Sequence, residues 1–200
     1  MVKVKICGLS RPCDIEAVNT EKPDYIGFVF AKSRRKVTPA QAVALKTLLS
    51  PDITSVGVFV DEAIERILSL VRENIIDIIQ LHGSEDETYI QKLKRSTDKP
   101  VVKAIGVYSK GDVQKWATTA ADYLLLDHKG GGTGQNFDWD MIGEIDKPYF
   151  LAGGLRPENI VKAIGQAAPY AVDVSSGVET GGIKDPKKIT AFIRRVRDGY

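Results

Sequence analysis

The chain has 200 residues, of which 43% are hydrophobic and 27% charged, and its formal net charge is +2 at pH 7. A chain of this length buries a sizeable core without disulfides, and a charge this near balance gives no case for a nucleic-acid or anionic-membrane partner. No apolar run of about 18 residues and no signal-peptide pattern occurs, and the only two cysteines, Cys7 and Cys13, make neither a disulfide framework nor zinc-ligand spacing, so a cytoplasmic protein without a metal centre is expected.

Eight short runs rich in branched and aromatic residues read as strands: VKVKIC (2–7), YIGFVF (25–30), SVGVFV (55–60), IDIIQL (76–81), VVKAI (101–105), YLLLD (123–127), YFLA (149–152) and YAVDV (170–174). Near-continuous apolar strands with long connections between them are the pattern of a parallel sheet covered on both faces. Most connections carry helix-start signals. Cys13 falls on the first helix as a small apolar residue. Thr38 precedes Pro39 with Gln41 at the capping-box position, and Ser84 repeats the device with Glu87. The stretch from Asp61 places Ile64, Ile67, Leu68 and Val71 on one helix face. RPENIVKAI and DPKKITAFIRRV each carry a proline near a helix start, the second behind a capping Asp185. The sixth connection, from His128 to Asp146, reads as loop with at most a turn or two of helix. No linker or composition break divides the chain, so residues 1–200 are expected to form one domain.

Eight parallel strands alternating with helices favour a closed (β/α)8 TIM barrel over an open doubly wound sheet, because CGLSRP after the first strand is not a dinucleotide fingerprint. In such a barrel the chemistry sits at the C-terminal strand ends. Cys7 and Asp127 are each the last residue of a strand. Cys7 lies close to a helix N-terminus, which favours a thiolate, and is a candidate base or nucleophile. A carboxylate ending an apolar strand, as Asp127 does, is seldom structural. Gly153 and Gly154 after strand seven, and Ser175, Ser176 and Gly177 after strand eight, allow backbone amides to converge where barrels often hold phosphate, with room in VETGGIKD for a short extra helix. GGGTG (130–134) lacks the lysine of a nucleotide P-loop and reads as a flap. Within KSRRK an arginine is placed to grip a carboxylate, and His82 in QLHG is a pocket-wall candidate. A thiol, a carboxylate, a phosphate cradle and an arginine, with no metal cluster, suit proton transfers on a small phosphorylated substrate.

The stretches KICGL, GFVFAKSRRKV, GVFV, QLHG, LLLDHKGGGTGQNFDW, LAGGLRPENI and DVSSGVETGGIKD, in this order, resemble the phosphoribosylanthranilate isomerase family of tryptophan biosynthesis. The resemblance implies a TIM barrel that catalyses an Amadori rearrangement of N-(5-phosphoribosyl)anthranilate, an aminoaldose, to 1-(2-carboxyphenylamino)-1-deoxyribulose 5-phosphate. It implies Cys7 as general base and Asp127 as general acid, with the Asp127 carboxyl raised so that it stays protonated. Arg35 would bind the anthranilate carboxylate, Asp173 a ribose hydroxyl, and Gly153, Gly154, Ser175, Ser176 and Gly177 the phosphate. No organic, redox or metal cofactor is implied, and the expected working form is a monomer or homodimer. Two alternatives are a histidine-pathway Amadori isomerase, which uses two aspartates and twin phosphate sites, and a non-catalytic phosphate-binding barrel. A cysteine at position 7 argues against the first, and the pairing of Cys7 with Asp127 against the second.

Overall fold

A computed structural model describes residues 1–128 and 138–199. The glycine-rich flap expected at 130–134 lies outside the described residues. Strands β1 (Lys3–Cys7), β2 (Tyr25–Val29), β3 (Thr54–Phe59), β4 (Ile78–Leu81), β5 (Val101–Gly106), β6 (Tyr123–Asp127), β7 (Tyr149–Leu151) and β8 (Ala171–Val174) pair in chain order, all parallel. β8 returns to β1 with Lys5 opposite Asp173, closing the barrel. Each strand is found where its apolar run predicts, within two residues at either end.

The barrel has two apolar zones. Inside it, Tyr25, Val56, Ile78, Val102, Leu125, Phe150 and Ala171 pack together, with Phe150 lying tilted or edge-on against Tyr25, Tyr123 and Tyr170. Outside it, alternate residues such as Ile6, Ile26, Phe28, Ile79 and Leu124 face the helices. Period-two alternation assigns each strand residue to one zone or the other. Lys5 and Gln80, each under 3% exposed, are carried into the barrel by that rule together with Asp127 and Asp173, while Lys103, between the inward Val102 and Ala104, faces the helices.

The helices are α1 (Pro12–Glu21), α2 (Pro39–Leu48), α3 (Ile64–Arg72), α4 (Glu87–Lys94), α5 (Lys110–Gln114), α6 (Ile160–Ala167) and α7 (Pro186–Asp198). Cys13 is exposed on α1, not a packed apolar residue. Thr38 Oγ1 accepts from the Gln41 N–H at 3.2 Å while Gln41 Oε1 accepts from the Thr38 N–H at 2.8 Å, completing the expected box. Asp185 accepts from the Lys187 N–H at 2.9 Å and starts α7. On α3 the fully buried residues are Ile64, Ile67 and Leu70, while Leu68 and Val71 are only half-buried against the same core.

Ser84 does not cap α4. The Glu85–Lys103 ion pair, 2.8 Å long and almost entirely buried, draws this segment onto the rim, and Ser84 Oγ donates instead to Asp61 Oδ1 at 2.8 Å. The helix therefore starts later, with Asp86 accepting from the Tyr89 N–H at 2.8 Å. Glu87, freed from capping, accepts from the Thr119 hydroxyl at 2.6 Å and the Ala120 N–H at 2.9 Å. Between β6 and β7 the described residues hold a single 3-10 turn, Trp139–Met141. The VETGGIKD segment forms a hairpin, β9 (Glu179–Thr180) and β10 (Ile183–Lys184), rather than a helix. Gly181 and Gly182 have φ values of 59° and 82°, the geometry that a two-residue hairpin turn demands. The extra helical turn lies just upstream, at Ser176–Val178.

Candidate active site

Alternation along β1 turns Val4 and Ile6 outward and brings Lys5 and Cys7 to the inward face, and closure against β8 sets Asp173 beside Lys5. Lys5 Nζ donates to Asp173 Oδ1 at 3.0 Å, with the two side chains 1% and 9% exposed. After Cys7 the chain turns at Gly8, whose φ is 81°, and a Cβ there would stand 2.4 Å from Arg35 Cδ. This glycine is what allows Arg35 to lie across the mouth of the barrel next to the thiol. Ser175 Oγ donates to the Cys7 carbonyl at 3.0 Å, joining the ends of β1 and β8.

Asp127 ends β6 with only 8% exposure. Burial pushes its carboxyl up to about 6, overcoming the opposing hydrogen bond that Oδ1 accepts from the His128 N–H at 2.7 Å. This is the direction required of a carboxyl that gives up a proton near neutrality. His82 Nε2 lies 3.7 Å from Asp127 Oδ2, and Nδ1 lies 3.0 Å from Gln80 Nε2. With the Gln80 amide donating, Nδ1 accepts and the ring proton stands on Nε2, on the Asp127 side. Burial lowers the His82 value, so the ring is a neutral donor. Gln80 Oε1 is buried without a hydrogen-bond partner in the same cavity.

The expectation that a helix N-terminus would favour the Cys7 thiolate does not hold. α1 begins only at Pro12, and burial pushes the thiol above its ordinary value. The charge of Lys5 works against that rise, Asp173 adds to it, and Lys184 opposes it. In this state Cys7 is a shielded thiol whose burial outweighs the cations beside it.

Arg35 Nε and Nη2 donate to Glu179 Oε1 and Oε2 at 2.6 and 2.9 Å. Glu179 also receives Arg34 Nη2 at 2.8 Å and Lys184 Nζ at 2.5 Å. Burial raises the Glu179 carboxyl, but Arg35 and Lys184 outweigh it and hold the group below the usual carboxylate range. The clasp uses the Nε edge of Arg35 and leaves the Nη1 edge for a second carboxylate. Glu179 escaped the sequence reading, since its partner lies 144 residues away across barrel closure. Lys5 escaped it too, although its place two residues before Cys7 on a period-two strand was a usable signal.

All ten residues singled out in the sequence, namely Cys7, Arg35, His82, Asp127, Gly153, Gly154, Asp173, Ser175, Ser176 and Gly177, line one cavity of about 250 Å³ at the C-terminal strand ends. At Gly177 a Cβ would come 1.8 Å from the Leu155 carbonyl oxygen and 2.9 Å from its carbon. Backbone cannot give way as a flexible side chain does, so Gly177→Ala is expected to cost about 1–3 kcal/mol of stability and to raise KM. Thermal unfolding beside steady-state kinetics checks both. Among the described residues no group of three or more His, Cys, Asp or Glu side chains is arranged to hold a metal ion.

Comparison with known proteins points to one family over nearly the whole chain. The family model described as N-(5'-phosphoribosyl)anthranilate (PRA) isomerase matches residues 4–195. A protein of that name from Endomicrobium trichonymphae is 48% identical over 201 residues, covering 98% of this chain and 99% of its own. The crystal structure of phosphoribosyl anthranilate isomerase from Thermotoga maritima superimposes with a TM-score of 0.91 at 37% identity, covering 99% of this chain and all of that one. A phosphoribosyl anthranilate isomerase in complex with reduced 1-(o-carboxyphenylamino)-1-deoxyribulose 5-phosphate gives a TM-score of 0.85 at 35% identity, again with 99% and 100% coverage.

Proposed function

Because the chain belongs to the N-(5'-phosphoribosyl)anthranilate isomerase family, we infer that its rim cavity carries out this rearrangement with Cys7 and Asp127 as the proton-transfer pair. The protein is an isomerase of tryptophan biosynthesis that converts N-(5'-phosphoribosyl)anthranilate, an aminoaldose, to the 1-deoxyribulose phosphate, an aminoketose. The observation that carries the assignment of roles is the opposite setting of the two groups in one small cavity. Asp127 is raised by burial to about 6, so that a usable fraction of it is protonated near neutrality, and Cys7 lies beside a buried ammonium.

In the proposed sequence, Asp127 gives its proton to the ribose ring oxygen and the C1'–O bond breaks, leaving an open-chain iminium ion. The iminium acidifies the proton on C2', which the Cys7 thiolate removes. The electron pair of that C–H bond neutralises the iminium and forms an enolamine, which tautomerises to the ketone. Oxidation states shift only within the substrate, so the sequence needs no outside electron carrier. Turnover returns the proton to Asp127 and frees Cys7 for the next cycle.

Binding follows from the walls. The phosphate is proposed to lie against Gly153, Gly154, Ser175, Ser176 and Gly177, where the short turn at Ser176–Val178 begins. Arg35, held by Glu179 along one edge, offers the other to the anthranilate carboxylate. Asp173, its second oxygen turned from Lys5, accepts from a ribose hydroxyl, and His82 supplies a neutral N–H on the wall that also carries Asp127. Arg35→Ala is expected to raise KM by about 10- to 100-fold with kcat changed much less, because it removes a charge-assisted bidentate contact made to substrate and transition state alike. Steady-state kinetics on substrate generated in situ checks the split.

The same reading takes residues 1–200 as one catalytic domain, working in the cytoplasm as a monomer or homodimer. Among the described residues no helix is long and apolar enough to cross a membrane. The direct test follows anthranilate fluorescence after purified, metal-chelated protein is added to phosphoribosylanthranilate. Rapid loss of signal supports the reading, and an unchanged signal overturns it.

A further inference from the structure

We propose that Lys5 is a positioning residue of this site, its ammonium pinned by Asp173 beside the Cys7 sulfur so that the buried thiolate has a fixed counter-charge. The inference rests on the role given to Cys7 above and goes further, since it explains how a shielded thiol becomes a usable base. A lysine 1% exposed is rare, and its burial costs several kcal/mol unless charge and hydrogen bonds offset it. Asp173, 3.0 Å from Nζ, supplies one offset. A single carboxylate contact leaves two of the three ammonium protons unused by Asp173.

Lys5 and Cys7 project from the same face of β1 with only Ile6 between them. Both charge interaction and hydrogen bonding between the two side chains favour the ammonium and the thiolate together. Although burial works against the ammonium, Asp173 and Cys7 outweigh it, and Lys5 lies above its usual value. It therefore keeps its proton throughout the reaction and cannot itself be the base. The charged groups that face Cys7 are Lys5 on its own strand, Asp173 on β8, Lys184 on the β10 hairpin strand and Arg35 after β2. Of the three cations, Lys184 and Arg35 are already clasped to Glu179, which leaves Lys5 as the one whose carboxylate partner, Asp173, itself lines the substrate cavity. A substrate hydroxyl that engages Asp173 weakens the Lys5–Asp173 pair and turns more of the ammonium's field onto the sulfur at the moment the base is needed.

The test reads the thiolate directly, without substrate. Iodoacetamide alkylation of Cys7 is followed against pH by mass spectrometry of its peptide, since the exposed Cys13 also reacts. Lys5→Met alone strands a buried carboxylate, so the decisive comparison is Asp173→Asn against the double variant Lys5→Met/Asp173→Asn, in which no unpaired charge remains. The Asp173→Asn midpoint is expected to lie below that of the wild type. The double variant is expected to lie above Asp173→Asn by at least about one pH unit, alkylating roughly tenfold more slowly at neutral pH, because only the thiolate is the nucleophile. A merely structural lysine would leave the midpoint of the double variant level with that of Asp173→Asn, and this result overturns the inference whether or not the wild type turns over. Conversely, a shifted midpoint in a wild type that fails to turn over bears on the proposed function and leaves the assignment of Lys5 standing.

Discussion

Cys7→Ser lowers kcat by about 10²–10⁴-fold while KM moves by less than about threefold. That is the expected range when a positioned base is exchanged for a hydroxyl far too weakly acidic to serve near neutrality. Serine is close to cysteine in shape and volume, so unfolding temperature should hold. A variant that loses affinity but keeps turnover would remove Cys7 from the chemistry. The pH profile carries a second signature. A base whose thiol is raised by burial and an acid at about 6 are both mostly in the inactive form at neutral pH. As pH climbs between the two values the thiolate fraction grows tenfold per unit and the protonated Asp127 fraction falls tenfold, and their product stays constant. A flat kcat/KM from about pH 6 up to the thiol's value is therefore expected, with limbs falling on either side.

Asp127→Asn is expected to lower kcat by a similar 10²–10⁴-fold and, unlike the cysteine variant, to make the protein more stable at neutral pH. The side chain is nearly isosteric, and its amide oxygen keeps the hydrogen bond from the His128 N–H. Asp127 titrates near 3.8 when unfolded and near 6 when folded. A raised folded value means that the folded state binds the proton more tightly. The stability this contributes is fully present below about pH 3.8 and lost as pH rises through about 6. Above that, the ionised carboxylate costs up to about 3 kcal/mol, the equivalent of the roughly two-unit displacement. Asparagine is never ionised, so the variant's advantage is absent at pH 3.5, opens between pH 4 and 6, and is constant beyond. Denaturant unfolding at several pH values measures it. A variant no more stable than the wild type at pH 8 would mean that the carboxyl is solvated and unsuited to the acid's role.

The barrel was legible because each strand is a near-continuous apolar run ended by a polar or glycine-rich rim, the pattern of a parallel sheet buried on both faces. Cys7 and Asp127 stood out as reactive groups closing apolar strands. What local reading missed is contact made by closure. Ser84 has the residues of a helix cap at the right spacing, yet the buried Glu85–Lys103 pair takes its segment elsewhere. VETGGIKD has room for a helical turn, but two adjacent glycines at positive φ make a hairpin, and that hairpin delivers Glu179 and Lys184 to Arg35. The supposed dipole support for Cys7 failed because its sulfur is five residues short of α1 and buried, where desolvation dominates.

The pairing of β1 with β8 carries a consequence for how the protein comes to life. Cys7 leaves the ribosome well before Asp173, the phosphate cradle and the Glu179 clasp, which follow it by more than half of the barrel. A chain halted before residue 171 has the thiol and Lys5 but neither the Asp173 carboxylate that pins Lys5 nor a substrate site, and its Cys7 is an ordinary exposed cysteine. Shielding of Cys7 from alkylating reagents therefore serves as a clock for closure of the barrel. In refolding it should rise together with the return of activity, after the helical signal has recovered.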